Sequence, residues 1–471
     1  MGSGLLACLR PSGRRSYVND IAPRIAAMDS VTVLRETLAL EIVRTLRRHG
    51  HKAYLVGGCV RDRLLGIAPR DFDMGTDAVP ERVLSLFPGA ELIGAHFGVV
   101  LIAHRPGVHV EVATFRSEGA YIDGRRPVGV SFETDPALDA RRRDFTINGL
   151  MQDPLSGEIL DFVGGRADLE RRIVRAIGDP ERRFKEDHLR LLRAVRFAAR
   201  LGFSIDPDTF QAMQLLAASI GKISPERIRD ELMHILTEGG ARYGFELLDS
   251  SGLLAYLLPE VHAFHGVEQP PEFHPEGDVW RHIMFMLDEL KDPSATLALG
   301  VLLHDVGKPP TFRRAPDRIR FDRHAEVGAK MAGGILSRLK FSNEDAEQVT
   351  SLIANHMRFK DVRQMRLSTL KRFLCLPRFD EHLELHRLDC LASNGYTDSY
   401  EYVKERLGEL GQEELRPPRL ITGSDLIREG FRPGPDFGRA LEAVENAQLE
   451  GEIHTRKEAL QLAHSVLNRN A

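Results

Sequence analysis

Two carboxylates stand two residues apart in Asp71-Phe72-Asp73, downstream of a glycine pair, Gly57-Gly58. Hard carboxylate oxygens suit Mg²⁺, which takes few protein ligands and completes its shell from phosphate and water. Glycines at the mouth of a helix let backbone N–H groups approach a phosphate, and the helix N-terminus adds positive potential. The pair of features points to a metal–triphosphate site. Residues two apart on a strand share a face, so Asp71 and Asp73 are expected side by side. Glu111, between Val110 and Val112, is by the same period a candidate third carboxylate. Further on, Arg141-Arg142-Arg143-Asp144 and Asn148 supply guanidinium groups for phosphates and shorter polar groups for ribose hydroxyls. Asp187 and Arg190, read as neighbours on one helix, suit base selection. A carboxylate accepts from the exocyclic amine of cytosine or adenine and a guanidinium donates beside it, while uracil and guanine present a carbonyl there.

A second set of chemistry-bearing residues follows: His274, His282, His304-Asp305, His324, His356 and Asp389. Imidazoles and carboxylates delivered from several helices make a divalent transition-metal site able to activate water.

These residues need elements to hold them. Residues 31–49 repeat apolar side chains at helical spacing, and Gly50 is a natural stop. Residues 53–56 read as a buried strand running into the glycine turn, with an amphipathic segment at 60–65. A short helix is expected at 80–87, followed by the segment 91–93, and strands at 99–103 and 108–115 with a turn at Pro106-Gly107. The polar stretch 117–140 reads as a long functional loop, and 161–165 as a closing turn. Residues 181–201 carry one continuous apolar stripe, and Ser224-Pro225 signals the start of a helix over 223–236. Later helices are expected at 279–290, 295–303, 325–339, 345–356 and 381–393. The remaining stretch, 401–471, is polar-helical with proline-rich breaks.

The 471 residues suffice for two to four domains, and 42% hydrophobic with 28% charged residues describes a globular chain. A formal net charge of -4 excludes a chain that binds nucleic acid through overall charge, so such a surface must be local. Arginines between Arg166 and Arg200 are candidates for RNA phosphates. Cys8, Cys59, Cys375 and Cys390 are far apart, which fits free thiols and a cytoplasmic location. No apolar run approaches the length of a membrane span, so no membrane partner is expected. Residues 1–30 read as a dispensable tail.

LVGGCVRDRLLG, DFDMGTD, HVEVATFR, RRDFTINGL, EDHLRLLRAVRF and ISPERIRDEL occur in order over residues 53–236. In this order they resemble the class II, bacterial-type CCA-adding tRNA nucleotidyltransferase and poly(A) polymerase family. HPEGDVWRH, LLHDVGKP, RHAEVGA, NHMRF and LDCLAS resemble the HD-superfamily phosphohydrolase domain fused to some members. The resemblance implies an α+β chain: a polymerase-beta-like nucleotidyltransferase sheet domain at 31–165 and a helical base-recognition and RNA-binding domain at 166–263. An HD domain at 264–400 and a helical region at 401–471 follow. It implies two Mg²⁺ on Asp71 and Asp73, and Gly57, Gly58 and Arg61 along the triphosphate. Arg142, Arg143, Asp144 and Asn148 would hold phosphates and the ribose, and Asp187 with Arg190 would template the base, supported by Arg193. His282, His304, Asp305 and Asp389 would ligate the HD metal, with His324 and His356 available for a second. The family's Asn-Ala pair is here Asn148-Gly149. The implied activity is addition of CCA to tRNA from CTP and ATP, with A-only addition or poly(A) synthesis as the alternative. A rival reading is an HD phosphohydrolase with a nucleotide-sensing N-terminal domain. The stretch 93–100 looks more like tRNA-type members than poly(A) polymerases.

Overall fold

The computed structural model describes residues 30–94, 98–119 and 129–468. Positions 1–29 of the expected tail, the centre of the 93–100 stretch and positions 120–128 of the expected loop lie outside the described residues. The chain divides between Ile223 and Ser224 into two compact units.

The first unit is built on a seven-stranded sheet. In chain order its strands are β1 (Ala53–Val56), β2 (Asp73–Thr76), β3 (Glu91–Gly94), β4 (Val99–Arg105), β5 (Val108–Thr114), β6 (Met151–Gln152) and β7 (Ile159–Leu160). They lie in the order β3-β4-β5-β2-β1-β6-β7. Only β2 and β5 run parallel; every other neighbouring pair is antiparallel. Helix α1 (Ser30–Arg48) packs on the sheet through Leu38, Ala39, Ile42, Val43 and Leu46, which fall on one helical face. At Gly75 a Cβ would meet Phe115 at 2.6 Å, so glycine there lets the Phe115 ring lie against β2.

The glycine turn opens α2 (Gly58–Leu64). The flanks of the expected long loop are structured: Arg116–Glu118 pairs with Val130–Phe132, and α3 (Pro136–Arg141) is capped by Asp135, which accepts from Ala137 N–H. The single helix expected over 181–201 is two, α4 (Pro180–Glu186) and α5 (Arg190–Leu201). The break is local chemistry. Asp187 adopts an extended conformation, and its carboxylate accepts the Leu189 N–H, offering the backbone a partner outside the helical ladder.

The second unit is helical. α6 (Val279–Asp288), α7 (Ala295–Leu303), α8 (His324–Arg338), α9 (Asn343–Asn355) and α10 (Phe379–Ala392) surround a core in which every residue of α7 except Ala295 is buried. A Cβ at Gly307 would lie 2.1 Å from the His324 carbonyl oxygen, so only glycine permits the turn after α7 to approach the start of α8. A hairpin, Phe312–Arg314 with Ile319–Phe321, joins the two. A separate small core, including Ile421, Leu426, Val444 and Ala459, holds the C-terminal helices. Among the described residues no helix is long and apolar enough to cross a membrane. Cys59, Cys375 and Cys390 are free thiols.

Candidate active site and metal centre

Parallel pairing of β2 with β5 places Asp73 directly beside Glu111, so the two carboxylates share a face of the sheet. Burial in the surrounding protein, then Glu111, pushes the Asp73 carboxyl up to about 6. Arg143 opposes the shift and Asp71 adds to it. The side chain is reachable by solvent yet lies in a recess that desolvates it. A carboxyl raised in this way lies in a site deficient in positive charge, which is the chemistry a divalent cation satisfies. Asp71 differs from the sequence expectation. It precedes β2 rather than standing on it, and its carboxylate pairs with Arg35 of α1 at 3.0 Å. Arg35 also donates to the Arg70 and Gly107 carbonyls.

The phosphate cradle lies next to these acids. Gly57 has φ +75°, and a Cβ there would come within 2.9 Å of Arg143 Nη1. Glycine is therefore required twice, by conformation and by the close approach of the guanidinium. Arg143 and Arg142 are both held by Asp139, at 3.0 and 2.7 Å, and Arg142 also reaches Glu118 at 3.1 Å. Asp139 is buried, yet the Arg143 and Arg142 guanidinium groups hold its carboxyl below the ordinary range. The sequence reading missed Asp139, the residue that aims both arginines.

Arg61, Asp144 and Asn148 are buried and linked to one another. Arg61 is 2% exposed, donates to Asn148 Oδ1 at 2.7 Å and grips Asp62 at 2.6 Å. Asn148 donates to Asp144 Oδ1 at 3.1 Å, and Arg193 donates to Asp144 Oδ2 at 2.8 and 2.5 Å. Burial disfavours the ionised Asp144, but Arg193, Asn148 and the Phe145 N–H hold it well below the usual carboxylate range. The result is a continuous buried chain, Asp62–Arg61–Asn148–Asp144–Arg193. A Cβ on Gly149 would clash with Val163 at 2.6 Å, which accounts for glycine after Asn148.

Asp187 and Arg190 fall on either side of the helix break. Arg190 pairs with Glu186 at 2.8 Å and donates to the Arg183 carbonyl at 2.9 Å. Arg183 shares Glu186 at 2.8 Å and donates to the Arg141 carbonyl. Glu186, which sequence reasoning left among the helix's polar residues, thus fixes Arg190 and ties α4 to the arginine run.

In the second unit, His282, His304, Asp305, His324, His356 and Asp389 come together. The Nδ1 atoms of His304, His324 and His356 each approach the carbonyl three residues back, of Val301, Phe321 and Ile353, at 3.0, 3.0 and 2.6 Å. A carbonyl only accepts, so each Nδ1 carries a proton, and burial, which lowers the pKa of His324 and His356, leaves the Nε2 of these two presenting a lone pair. The three Nε2 atoms lie 3.2, 3.7 and 4.0 Å from Asp305 oxygens, and those of His324 and His356 face each other at 3.2 Å. Two facing acceptors need a cation between them. Both Asp305 oxygens and His282 Nε2 are buried without a hydrogen bond of proper geometry, although Lys308 and Asp389 are close. Two groups have ligand atoms within 4.8 Å of one another, His282–His304–Asp389 and Asp305–His324–His356. Burial pushes His356 down to about 3, with His304 adding to the effect. Burial opposes protonation of His282, but Asp389 and Glu276 push it up to about 9. Glu276 was not foreseen. It accepts from Nδ1 of both His274 and His282 at 2.8 Å, so it turns His282 Nε2 toward Asp389. His274 sits in this outer layer.

Residues 53–175 match the family model for the "Poly A polymerase head domain", and 202–264 that for the "Probable RNA and SrmB- binding site of polymerase A". Residues 324–463 match tRNA nucleotidyltransferase domain 2. The CCA-adding enzyme of Geobacillus thermodenitrificans is 43% identical over 426 residues, 90% of this chain and 95% of that protein. That of Streptococcus thermophilus is 32% identical, over 90% of this chain and 94% of the relative. The match to the Geobacillus stearothermophilus enzyme, 44% identical, spans only 54% of that relative's length. The solved Bacillus stearothermophilus CCA-adding enzyme in complex with CTP superposes with TM-score 0.70 at 28% identity, covering 94% of this chain and 98% of that one. The Thermotoga maritima CCA-adding enzyme complexed with tRNA shares the fold, at TM-score 0.57 and 19% identity over 96% of this chain and 99% of its own. A sheet that pairs Asp73 with Glu111, a head-domain match across that sheet and relatives matched over nearly their whole length agree: the chain belongs to the class II CCA-adding tRNA nucleotidyltransferase family.

Proposed function

We propose that this protein completes the 3′ end of tRNA with CCA, taking CMP and AMP from CTP and ATP and releasing pyrophosphate. The observation that carries the reading is the meeting of three features: the Gly57 turn, the Arg143 guanidinium against it, and the Asp73–Glu111 pair beside both. The 3′-oxygen of the RNA attacks the α-phosphorus, the α–β phosphoanhydride bond breaks, and pyrophosphate leaves. The family uses divalent metals such as Mg²⁺; Asp71 and Asp73 would hold two Mg²⁺, which would supply charge to ease deprotonation of the 3′-hydroxyl and to offset that of the leaving group. Arg142 and Arg143, oriented by Asp139, hold the triphosphate. The Asp144–Asn148 network places the ribose, and Asp187 with Arg190 select cytosine and adenine.

The test uses tRNAs ending at the discriminator base, at C and at CC, each with a single NTP and with CTP plus ATP. The expected products are +CC from CTP alone on the first substrate and +A only on the CC end. A-only products on every substrate, or long A tails, would assign A-adding or poly(A) activity. Full transfer by Asp73→Ala would remove the site from the mechanism.

A second reading concerns the histidine cluster, and the facing Nε2 lone pairs of His324 and His356 favour it. The residues fit a borderline divalent ion, which when bound supplies an activated water for phosphoester hydrolysis. His282, His304 and Asp389, and beside them Asp305, His324 and His356, would hold such an ion. Phosphatase and 2′,3′-cyclic phosphodiesterase assays with added metals, on the wild type and His304→Ala, test it. Absence of metal-dependent hydrolysis leaves the cluster a structural role.

A further inference from the structure

A third grouping of metal-ligand side chains lies in the second unit, away from the residues used above. Asp249 ends the helix Ala241–Ser250, and His262 and His265 stand three apart at the end of the helix Pro259–His262 and just beyond it. His262 Nδ1 and His265 Nε2 both approach the same oxygen, Asp249 Oδ1, at 3.1 and 3.2 Å. Their ligand atoms all lie within 4.8 Å of one another. We propose that Asp249, His262 and His265 form a solvent-facing site for a borderline transition-metal ion such as Zn²⁺ or Cu²⁺.

The spacing fits. Metal–ligand bonds of 2.0–2.1 Å at tetrahedral angles place donor atoms about 3.3 Å apart, which the two nitrogen–Asp249 separations already match. Two imidazoles and one carboxylate are a mixed nitrogen–oxygen set, which favours Zn²⁺ and Cu²⁺ over Mg²⁺ or Ca²⁺. The scaffold is fixed in advance. His265 packs on Trp280, ring centroids 4.3 Å apart. The residues after it are tied to the start of α6 through Gly266 N–H to Asp278 and Val279 N–H to the Val267 carbonyl. Both histidines are exposed, so the ion's remaining positions face water and are open to an exogenous ligand. This openness distinguishes the site from the buried His304–Asp305 cluster.

Trp280 is the only tryptophan in the chain, which gives the site its own reporter. Cu²⁺ quenches a neighbouring indole, so titrating Cu²⁺ into the full chain reads occupancy through tryptophan fluorescence. The wild type is expected to show saturable quenching at micromolar Cu²⁺. Asp249→Ala and His262→Ala, which leave the His265–Trp280 stack intact, are expected to weaken the midpoint at least ~10-fold. His304→Ala, which removes a ligand of the buried cluster, is expected to leave the midpoint unchanged. Should Asp249→Ala lose its circular-dichroism melt, His262→Gln at its exposed position carries the test. Two results would overturn the assignment: no saturable quenching below millimolar Cu²⁺, or quenching that follows His304→Ala and ignores the Asp249 and His262 variants.

Discussion

At the scale of single residues, Asp73 concentrates the electrostatic cost of the active site. Its carboxyl titrates at about 6 in the folded chain, against an ordinary value of 3.8, because burial and Glu111 disfavour its charge. The folded state therefore holds a proton between those values that the unfolded state has lost. Metal-free protein loses stability as pH rises through that window. Asp73→Asn removes the penalty. In the presence of chelator its melting temperature should exceed that of the wild type at pH 7, and the difference should close near pH 4, while nucleotide transfer is abolished. Equal melting temperatures at both pH values would place Asp73 outside the desolvated pair. For the wild type, the Mg²⁺ concentration needed for half-maximal transfer should rise as pH falls below about 6, since protons compete for the same oxygens.

At the scale of elements, the break between α4 and α5 separates the two residues proposed to select the base. Asp187 is the extended residue that ends α4, and Arg190 is held by Glu186. Glu186→Gln removes the charge that fixes Arg190. We expect little loss of fold and a gain in UTP and GTP incorporation of about 10-fold relative to CTP, since a charge-assisted hydrogen bond contributes roughly 1.5–3 kcal/mol. Single-nucleotide extension assays check it, and unchanged selectivity would detach Arg190 from base choice. The buried chain through Arg61 acts differently, as a brace between α2, the Asp144 segment and α5. Arg61→Met removes the buried partner of Asp62 Oδ1 and Asn148 Oδ1, leaving Asp62 with Arg200 alone, and should cost about 3 kcal/mol in urea unfolding. Asp144 adds a pH signature. Its folded value is depressed, so its stabilisation is present above the ordinary carboxylate pKa and is lost as pH falls below about 4.

At the scale of the whole molecule, the two compact units present different sets of candidate metal ligands. The first presents carboxylates and backbone, suited to Mg²⁺; the second presents imidazoles with their tautomers set by backbone carbonyls, suited to a softer ion. Dialysis against a strong chelator should strip both. Mg²⁺ alone should restore nucleotide transfer without restoring any hydrolytic activity. Metal analysis after purification should find less transition metal in His304→Ala than in the wild type, with transfer rates alike. A transfer defect in His304→Ala at saturating Mg²⁺ would join the two chemistries.

The sequence determined the chemical inventory by itself. Gly57-Gly58, Asp71-Phe72-Asp73, the arginine run and His304-Asp305 are local patterns, and local patterns survive in one dimension because spacing along a strand or helix fixes the side on which residues fall. Glu111 was found in that way, from strand alternation alone, and the parallel β2–β5 pairing then set it against Asp73. Tertiary structure decided which partner each charge meets. Arg35 reaches Asp71 across 36 positions, Arg61 reaches Asn148 across 87, and Asp144 meets Arg193 across 49. No periodicity encodes such distances, because they depend on how sheet and helices pack. The same packing explains the residues that spacing did not single out: Asp139, Glu186 and Glu276 look like ordinary surface acids until folding buries or half-buries them between the groups they orient.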